Sequence, residues 1–111
     1  MFKLEVDGGR PACRVHGSGG RRYVRSTVSV SRSTWYAATC SRVGSTLSVT
    51  VRPYGGTTST TTTTSGATGT LSFAASRPAS VGGKLTPGGA VVAEASDQFN
   101  GAVSQVWVSG P

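Results

Sequence analysis

The residues that could perform chemistry are few, since the chain holds one histidine, two cysteines and four carboxylates. His16 has no Gly-x-Ser-x-Gly sequence to accompany it, which argues against a serine hydrolase. A glycosidase needs two carboxylates, and those available lie in predicted exposed strand, turn or loop positions: Glu5, Asp7, Glu94 and Asp97. Two thiols and one imidazole at this spacing do not make a zinc site. We therefore predict that the protein is not an enzyme.

The two cysteines lie inside predicted strands. A bridge between Cys13 and Cys40 would stabilise the fold by about 3 kcal/mol, because it restricts the unfolded chain. A disulfide would also indicate an oxidising compartment. The alternative that the sequence leaves open is a pair of buried free thiols.

The composition favours strands and turns. Gly, Ser, Thr and Val dominate the chain, and no window shows an apolar repeat of 3.6 residues. A length of 111 residues suits one small domain. We therefore predict a single all-β domain over residues 1–111.

The strands are marked by alternation of apolar and polar residues. FKLEV and PACRVH form a predicted hairpin across DGGR, and YVRSTVSV, WYAATCSR and TLSVTV follow as further predicted strands. The hydroxylated run Thr57–Ser65 follows the turn PYGG and contains no proline, so it is interpreted as the return strand of a hairpin; an O-glycosylated stalk is the alternative. Later short strands are predicted near Leu71–Phe73, Ser80–Val81 and VVAEA, and a bulge interrupts the last one between Val103 and Val106. About ten such strands favour an antiparallel sandwich.

The net charge of +7 makes anionic partners the natural candidates: nucleic acids, anionic glycans and wall polymers. The alternative is that the many arginines reflect a GC-rich genome and that the positive charge aids solubility. Most of them are scattered singly, and only RRYVR forms a patch. Its predicted ligand-binding residues are Arg21, Arg22, Tyr23 and Arg25.

Two segments resemble laminin G-like domains. TWYAATCSRVGSTLSVTVRPYGG is similar to a Trp-led strand, turn and strand of that family, and ASVGGKL with SDQFNGAVSQVWV is similar to its closing strands. FKLEVDGGRPACRVHGSGG resembles the preceding hairpin of bacterial members. In the closing motif, Ser104 and Gln105 stand where acidic residues are common, and Trp107 stands where arginine is common. The resemblance implies a concanavalin A-like jelly roll that lacks the opening strands of the family, so it is either a reduced sandwich or one completed by a partner.

The same resemblance implies a recognition module. Calcium binding is a trait of the family, and Asp97 is the residue here that most resembles a calcium ligand. One carboxylate supplies few of the oxygen ligands that calcium requires, so we expect no cofactor. Trp35 is predicted to lie in the core and Trp107 to face outward. Besides the RRYVR patch, interpreted as a loop that leads into YVRSTVSV, the expected ligand contacts are Tyr54 at a hairpin tip, Asn100 in a turn and Trp107.

These features lead to three functional hypotheses. The first is a non-catalytic recognition or adhesion module that binds a glycan or a surface protein. The second is a structural subunit of a surface or virion assembly, a homo-oligomer held by sheet edges. The third, a nonspecific nucleic-acid binder, rests on charge alone, and the few aromatics lack the spacing of a base-stacking sheet. The sequence shows no transmembrane run or signal peptide, and we expect an extracellular, cell-surface or virion location.

Overall fold

The computed structural model describes residues 1–92 and 99–110 and is all-β. Its six strands are β1 (Phe2–Asp7), β2 (Arg10–Gly17), β3 (Gly20–Arg25), β4 (Tyr36–Val43), β5 (Thr46–Pro53) and β6 (Thr60–Ser65). They form two antiparallel sheets, β1-β2-β3 (sheet A) and β4-β5-β6 (sheet B). The described residues contain no helix, and hence none of the length and apolarity that crossing a membrane requires.

Sheet A begins with the predicted hairpin. Gly8 and Gly9 both have positive φ, at 56° and 77°, as a two-residue turn of this kind requires. The register pairs Leu4 with Cys13, and Cys13 with Val24. Paired residues share a face, so the apolar side chains of all three strands point to one side of the sheet.

Sheet B contains the hydroxylated run as a strand, which confirms the hairpin prediction for this segment. Residues Thr60–Ser65 pair with β5, and Thr62 lies opposite Val49. Burial alternates along the strand, because every second threonine lies on the side of the sheet that faces the core.

The core lies between the two sheets, which pack face to face in a sandwich-like arrangement. Its buried apolar side chains are Cys13, Val15, Val24, Leu47, Val49 and Val51. Cys13 on β2 and Cys40 on β4 form a disulfide across the sheets, with their Cα atoms 5.6 Å apart. The predicted pairing of these cysteines is therefore confirmed.

The segment that follows β6 closes one end of the sandwich. The backbone N–H of Gly19 donates to Thr68 O at 2.8 Å, and the Arg42 guanidinium donates to Thr68 Oγ1 at 2.8 Å and to Gly69 O at 2.6 Å. A Cβ atom on Gly17 would collide with the Thr68 carbonyl, so glycine is required where these two backbones meet.

Two strand predictions in this region need correction. The predicted strand YVRSTVSV ends at Arg25, where Ser26 Oγ accepts a hydrogen bond from Val28 N at 3.0 Å and turns the chain. Trp35, predicted to lie in the core, is 52% exposed at the start of β4.

The chain divides into two compact units, Met1–Phe73 and Ala74–Pro111. Within the described part of the second unit, the only strand pairing is an isolated bridge between Leu85 and Val91. Three later strand predictions are wrong, because none of these segments is in a strand: LSF at the end of the first unit, and the segment near Val81 and the closing strand with its bulge in the second. VVAEA lies partly outside the described residues. The prediction of a single domain over residues 1–111 stays a prediction.

Candidate functional site

The outward side of sheet A is strongly basic, and we call it the basic face. The register places five cationic side chains and two carboxylates on it. Its polar members are Lys3, Glu5, Asp7, Arg10, Arg14, His16, Arg21, Tyr23 and Arg25. Alternation creates this surface, because each strand that turns its apolar residues to the core must turn the intervening polar ones to solvent.

The centre of the basic face is a network of ion pairs and hydrogen bonds. The Arg14 guanidinium lies over the ring of Tyr23, 4.3 Å from its centroid, in a cation–π contact. Arg14 also pairs with Glu5, and the Tyr23 hydroxyl donates a hydrogen bond to Asp7. Lys3 Nζ lies 2.7 Å from Glu5 Oε2. The two carboxylates thereby hold the aromatic ring and the central cations in place.

These contacts shift the pKa values of several groups, among them Glu5 and Tyr23. Burial raises the pKa of Glu5, but hydrogen bonds from Lys3 and Arg14 outweigh it, so the net pKa lies below the usual value. The pKa of Tyr23 is raised by burial and by its hydrogen bond to Asp7, since both favour the neutral phenol. Both shifts favour the observed network near neutral pH.

The raised pKa of Tyr23 leads to a testable prediction. The stabilisation from neutral Tyr23 is complete below the pKa of about 10 of an unfolded tyrosine and is lost as the pH rises through the higher folded value. In an absorbance titration of phenolate, Tyr23→Phe should therefore remove the step at the highest pH. Tyr36→Phe is the matched control and should remove an earlier step, because the Ser31 N–H donates to the Tyr36 hydroxyl and lowers that pKa. Loss of an early step in Tyr23→Phe would contradict the prediction.

Arg21 and Arg25 flank Tyr23 on the same side of β3. All three side chains are exposed, and β3 is an outer strand of its sheet. Within the described part of the chain, neither Arg21 nor Arg25 forms an ion pair. Two unneutralised guanidinium groups and an aromatic ring therefore line one open edge of the basic face.

Arg22 does not join this surface. It lies opposite Val15 on the other side of the strand, and a Cβ atom on Gly66 would collide with its guanidinium group. The RRYVR patch is a strand and not the predicted loop, so neighbouring arginines point in opposite directions.

The remaining predicted contact residues belong to other segments of the chain than β3. Tyr54 is exposed in the turn between β5 and β6, as expected of a hairpin tip. Asn100 and Trp107 belong to the second unit, and Trp107 is 72% exposed, as predicted. Asp97, the proposed calcium ligand, lies outside the described residues.

Sequence reasoning missed the contribution of the first two strands to the basic face. Lys3, Arg10 and Arg14 lie beside the patch because β1, β2 and β3 are consecutive neighbours in one sheet. They could have been found from the alternation in FKLEV and PACRVH, which assigns their polar residues to the outward side. Antiparallel pairing of consecutive strands then places these residues beside those of β3.

Among the described residues, no three side chains that could bind a metal ion lie close together. Glu5 and Asp7 are occupied by cations and a phenol. His16 is exposed opposite Arg21 on the neighbouring strand. What the basic face can do chemically is bind anions through guanidinium groups and stack flat groups near Tyr23.

Comparison with known proteins identifies no relative of this chain. No protein-family model matches the chain, and neither a curated protein nor a solved structure matches it. The laminin G-like resemblance therefore stays a prediction, and the case for a function depends on the geometry of this chain.

Proposed function

We propose that the protein is a non-catalytic recognition module that binds an acidic glycan on its basic face. The observation that carries the proposal is the row Arg21, Tyr23 and Arg25 on one open strand. Guanidinium groups recognise carboxylate and sulfate oxygens by paired hydrogen bonds, and an aromatic side chain can pack against a sugar ring. A linear polymer lying along β3 would meet all three residues.

The charge distribution favours the basic face of sheet A, rather than the outward side of sheet B, as the surface that binds an anionic polymer. The outward side of sheet B is mostly hydroxylated, and Arg52 is the only charged side chain on that side. Thr50 and Thr61 even hydrogen-bond to each other there, with their Oγ1 atoms 2.8 Å apart. An anionic polymer would thus be attracted to sheet A.

A flat, exposed site implies shallow binding. The cations that face solvent are screened by salt over a Debye length of about 10 Å at 0.1 M ionic strength. Each exposed ionic contact contributes at most about 1 kcal/mol. Affinity is therefore expected to come from several contacts along a polymer and to fall steeply with salt.

The proposal is tested with heparin as an acidic glycan probe. Arg21→Ser/Arg25→Ser should weaken binding at low salt by about tenfold and lower the eluting salt concentration, because two ionic contacts are lost. The matched control Arg52→Ser/Arg77→Ser removes the same charge elsewhere, from the opposite face and from the second unit. The control should bind nearly as the natural protein does.

Two outcomes would contradict the proposal. Equal weakening of both variants would show that net charge alone attracts the polymer. Binding of single-stranded DNA and heparin with the same affinity at matched salt would favour the nonspecific polyanion binder. Uronate polymers without sulfate, tested alongside heparin, separate carboxylate from sulfate recognition.

A structural subunit is the second candidate, and open sheet edges favour it. Among the described strands, β1, β3, β4 and β6 each have a single neighbour. In this proposal a jelly roll of the laminin G-like kind is completed by strands of neighbouring subunits at a cell surface or virion. The disulfide supports an oxidising, extracellular location for either function. Light scattering distinguishes the candidates, because a structural subunit completed by its neighbours should be a stable oligomer even at low concentration, and a monomer that binds glycans there would exclude that role.

A further inference from the structure

Strand β1 combines an open edge with uncovered apolar side chains. Phe2, Leu4 and Val6 lie on the core side of sheet A, opposite the residues of β2 that face the core. They nevertheless remain 38–44% exposed. Long, apolar edge strands are sites where another chain can add a strand. The six-residue β1 contains neither a proline nor a bulge that would prevent this.

The hydrogen-bond pattern shows which backbone groups of β1 are available. Met1 and His16 exchange both backbone bonds, from Met1 N to His16 O at 2.6 Å and from His16 N to Met1 O at 2.8 Å. In an antiparallel ladder such pairs alternate with pairs that exchange none. Lys3, Glu5 and Asp7 therefore point their N–H and C=O groups toward β2. The backbone groups of Phe2, Leu4 and Val6 point to the open edge.

We propose that two copies of this chain form a dimer by antiparallel pairing of their β1 strands, centred on Leu4. A two-fold axis at that position places Leu4 opposite Leu4 of the second copy, and Phe2 opposite its Val6. The outward backbone groups of these residues then exchange both hydrogen bonds in every such pair, as the ladder requires. The three apolar side chains of each strand meet on one side of the joined sheet.

The other side of the pairing is complementary in charge. The same register places Lys3 of each copy opposite Glu5 of the other. These residues already form an ion pair within the chain, with Nζ and Oε2 2.7 Å apart. Pairing would extend it into a four-residue network across the axis. Opposite charges at directly facing positions favour a register, and like charges disfavour it.

A second copy fits this edge because FKLEV is complementary to itself when reversed. The other open edge of sheet A lacks that property. β3 carries Arg21, Arg22 and Arg25 and no carboxylate, so pairing two copies of it would bring like charges together. The isologous contact closes after two subunits and leaves both β3 strands accessible.

The dimer goes beyond the glycan-binding proposal and would stand if that proposal failed. It joins the two A sheets into one of six strands, in the order β3-β2-β1 followed by β1-β2-β3 of the second copy. The interface is small, so we expect a dissociation equilibrium measurable between micromolar and millimolar concentrations. In that range, the basic faces of both copies would lie on one continuous surface.

Sedimentation equilibrium of the full chain tests the proposal. The natural protein should shift from monomer to dimer with concentration, and Leu4→Lys should raise the dissociation constant by at least about tenfold, because two ammonium groups would face each other across the axis. Val43→Lys is the matched control, on the outer strand β4 of the other sheet and 75% exposed, and should dimerise normally. Thermal unfolding of both variants verifies that each remains folded.

Amide hydrogen exchange in the natural protein tests the register without any substitution. The amides of Phe2, Leu4 and Val6 should exchange more slowly as the concentration rises. Those of Lys3 and Glu5 should change little, because they already donate within the sheet. A monomer at millimolar concentration, a dimer unaffected by Leu4→Lys, or a dimer without concentration-dependent protection of these three amides would each overturn the proposal.

Discussion

Leu47→Ala is expected to lower the free energy of unfolding of the sandwich by about 3 kcal/mol. Leu47 is 1% exposed on β5 and is the largest fully buried side chain. Its truncation loses the transfer free energy of the removed carbons and leaves a cavity that the surrounding sheets fill only in part. The total stability of a domain this small is about 5–10 kcal/mol, so one such change removes a large share of it. Urea unfolding followed by circular dichroism measures the difference.

Val43→Ala is the control for this prediction. Val43 lies on the neighbouring strand β4 and is largely exposed, so truncation there should change the stability by less than about 0.5 kcal/mol. Equal effects of the two substitutions would show that the space between the sheets is not the core that holds the fold.

Removing the disulfide is expected to have an effect of similar size. Cys13 and Cys40 are 27 positions apart, and the chain-entropy model assigns a loop of this length about 3.5 kcal/mol. The bridge joins β2 to β4, so its loss also removes the covalent cross-link between the two sheets. Urea unfolding of Cys13→Ala/Cys40→Ala should show a midpoint well below that of the oxidised natural protein.

The reduced natural protein provides the internal comparison. Reductant should lower its stability toward that of the double variant and should leave the variant unchanged, because the chain contains no other cysteine. A double variant as stable as the oxidised protein would show that packing alone determines the association of the sheets.

Alternation predicted the strands of the first unit because each of them has a partner. FKLEV, PACRVH and TLSVTV have period-two patterns, and their apolar residues face one side, as expected. The hydroxylated run has no apolar residues to alternate with its polar ones. It forms a strand because threonine is β-branched and β5 offers an edge with which it can pair.

The later segments show where alternation fails. AVSQVWV contains valines at strand-like spacing, yet Val106, Trp107 and Val108 are all exposed and lie outside any strand. A period-two pattern requires a neighbouring strand to satisfy its backbone, and none pairs with this segment in the described structure. The same local pattern therefore leads to different conformations, which only non-local pairing distinguishes.

The candidate site was only partly predictable for a related reason. The composition and RRYVR pointed to an anionic partner and to Arg21, Tyr23 and Arg25. The sequence could not separate Arg22 from them until the patch was known to be a strand. It also could not show that Arg14, from the preceding strand, lies over the Tyr23 ring.

The sequence by itself determined the all-β class, the inward and outward phases of the first strands, the basic character and the pair of cysteines available for a bridge. These properties depend on residue type and on neighbours two positions apart. The tertiary structure alone decided that the hairpins form two sheets joined by Cys13 and Cys40, which arginines share a face, and that β1 keeps an open apolar edge. Those features depend on contacts between residues far apart in the chain, and the local pattern of side chains does not specify them.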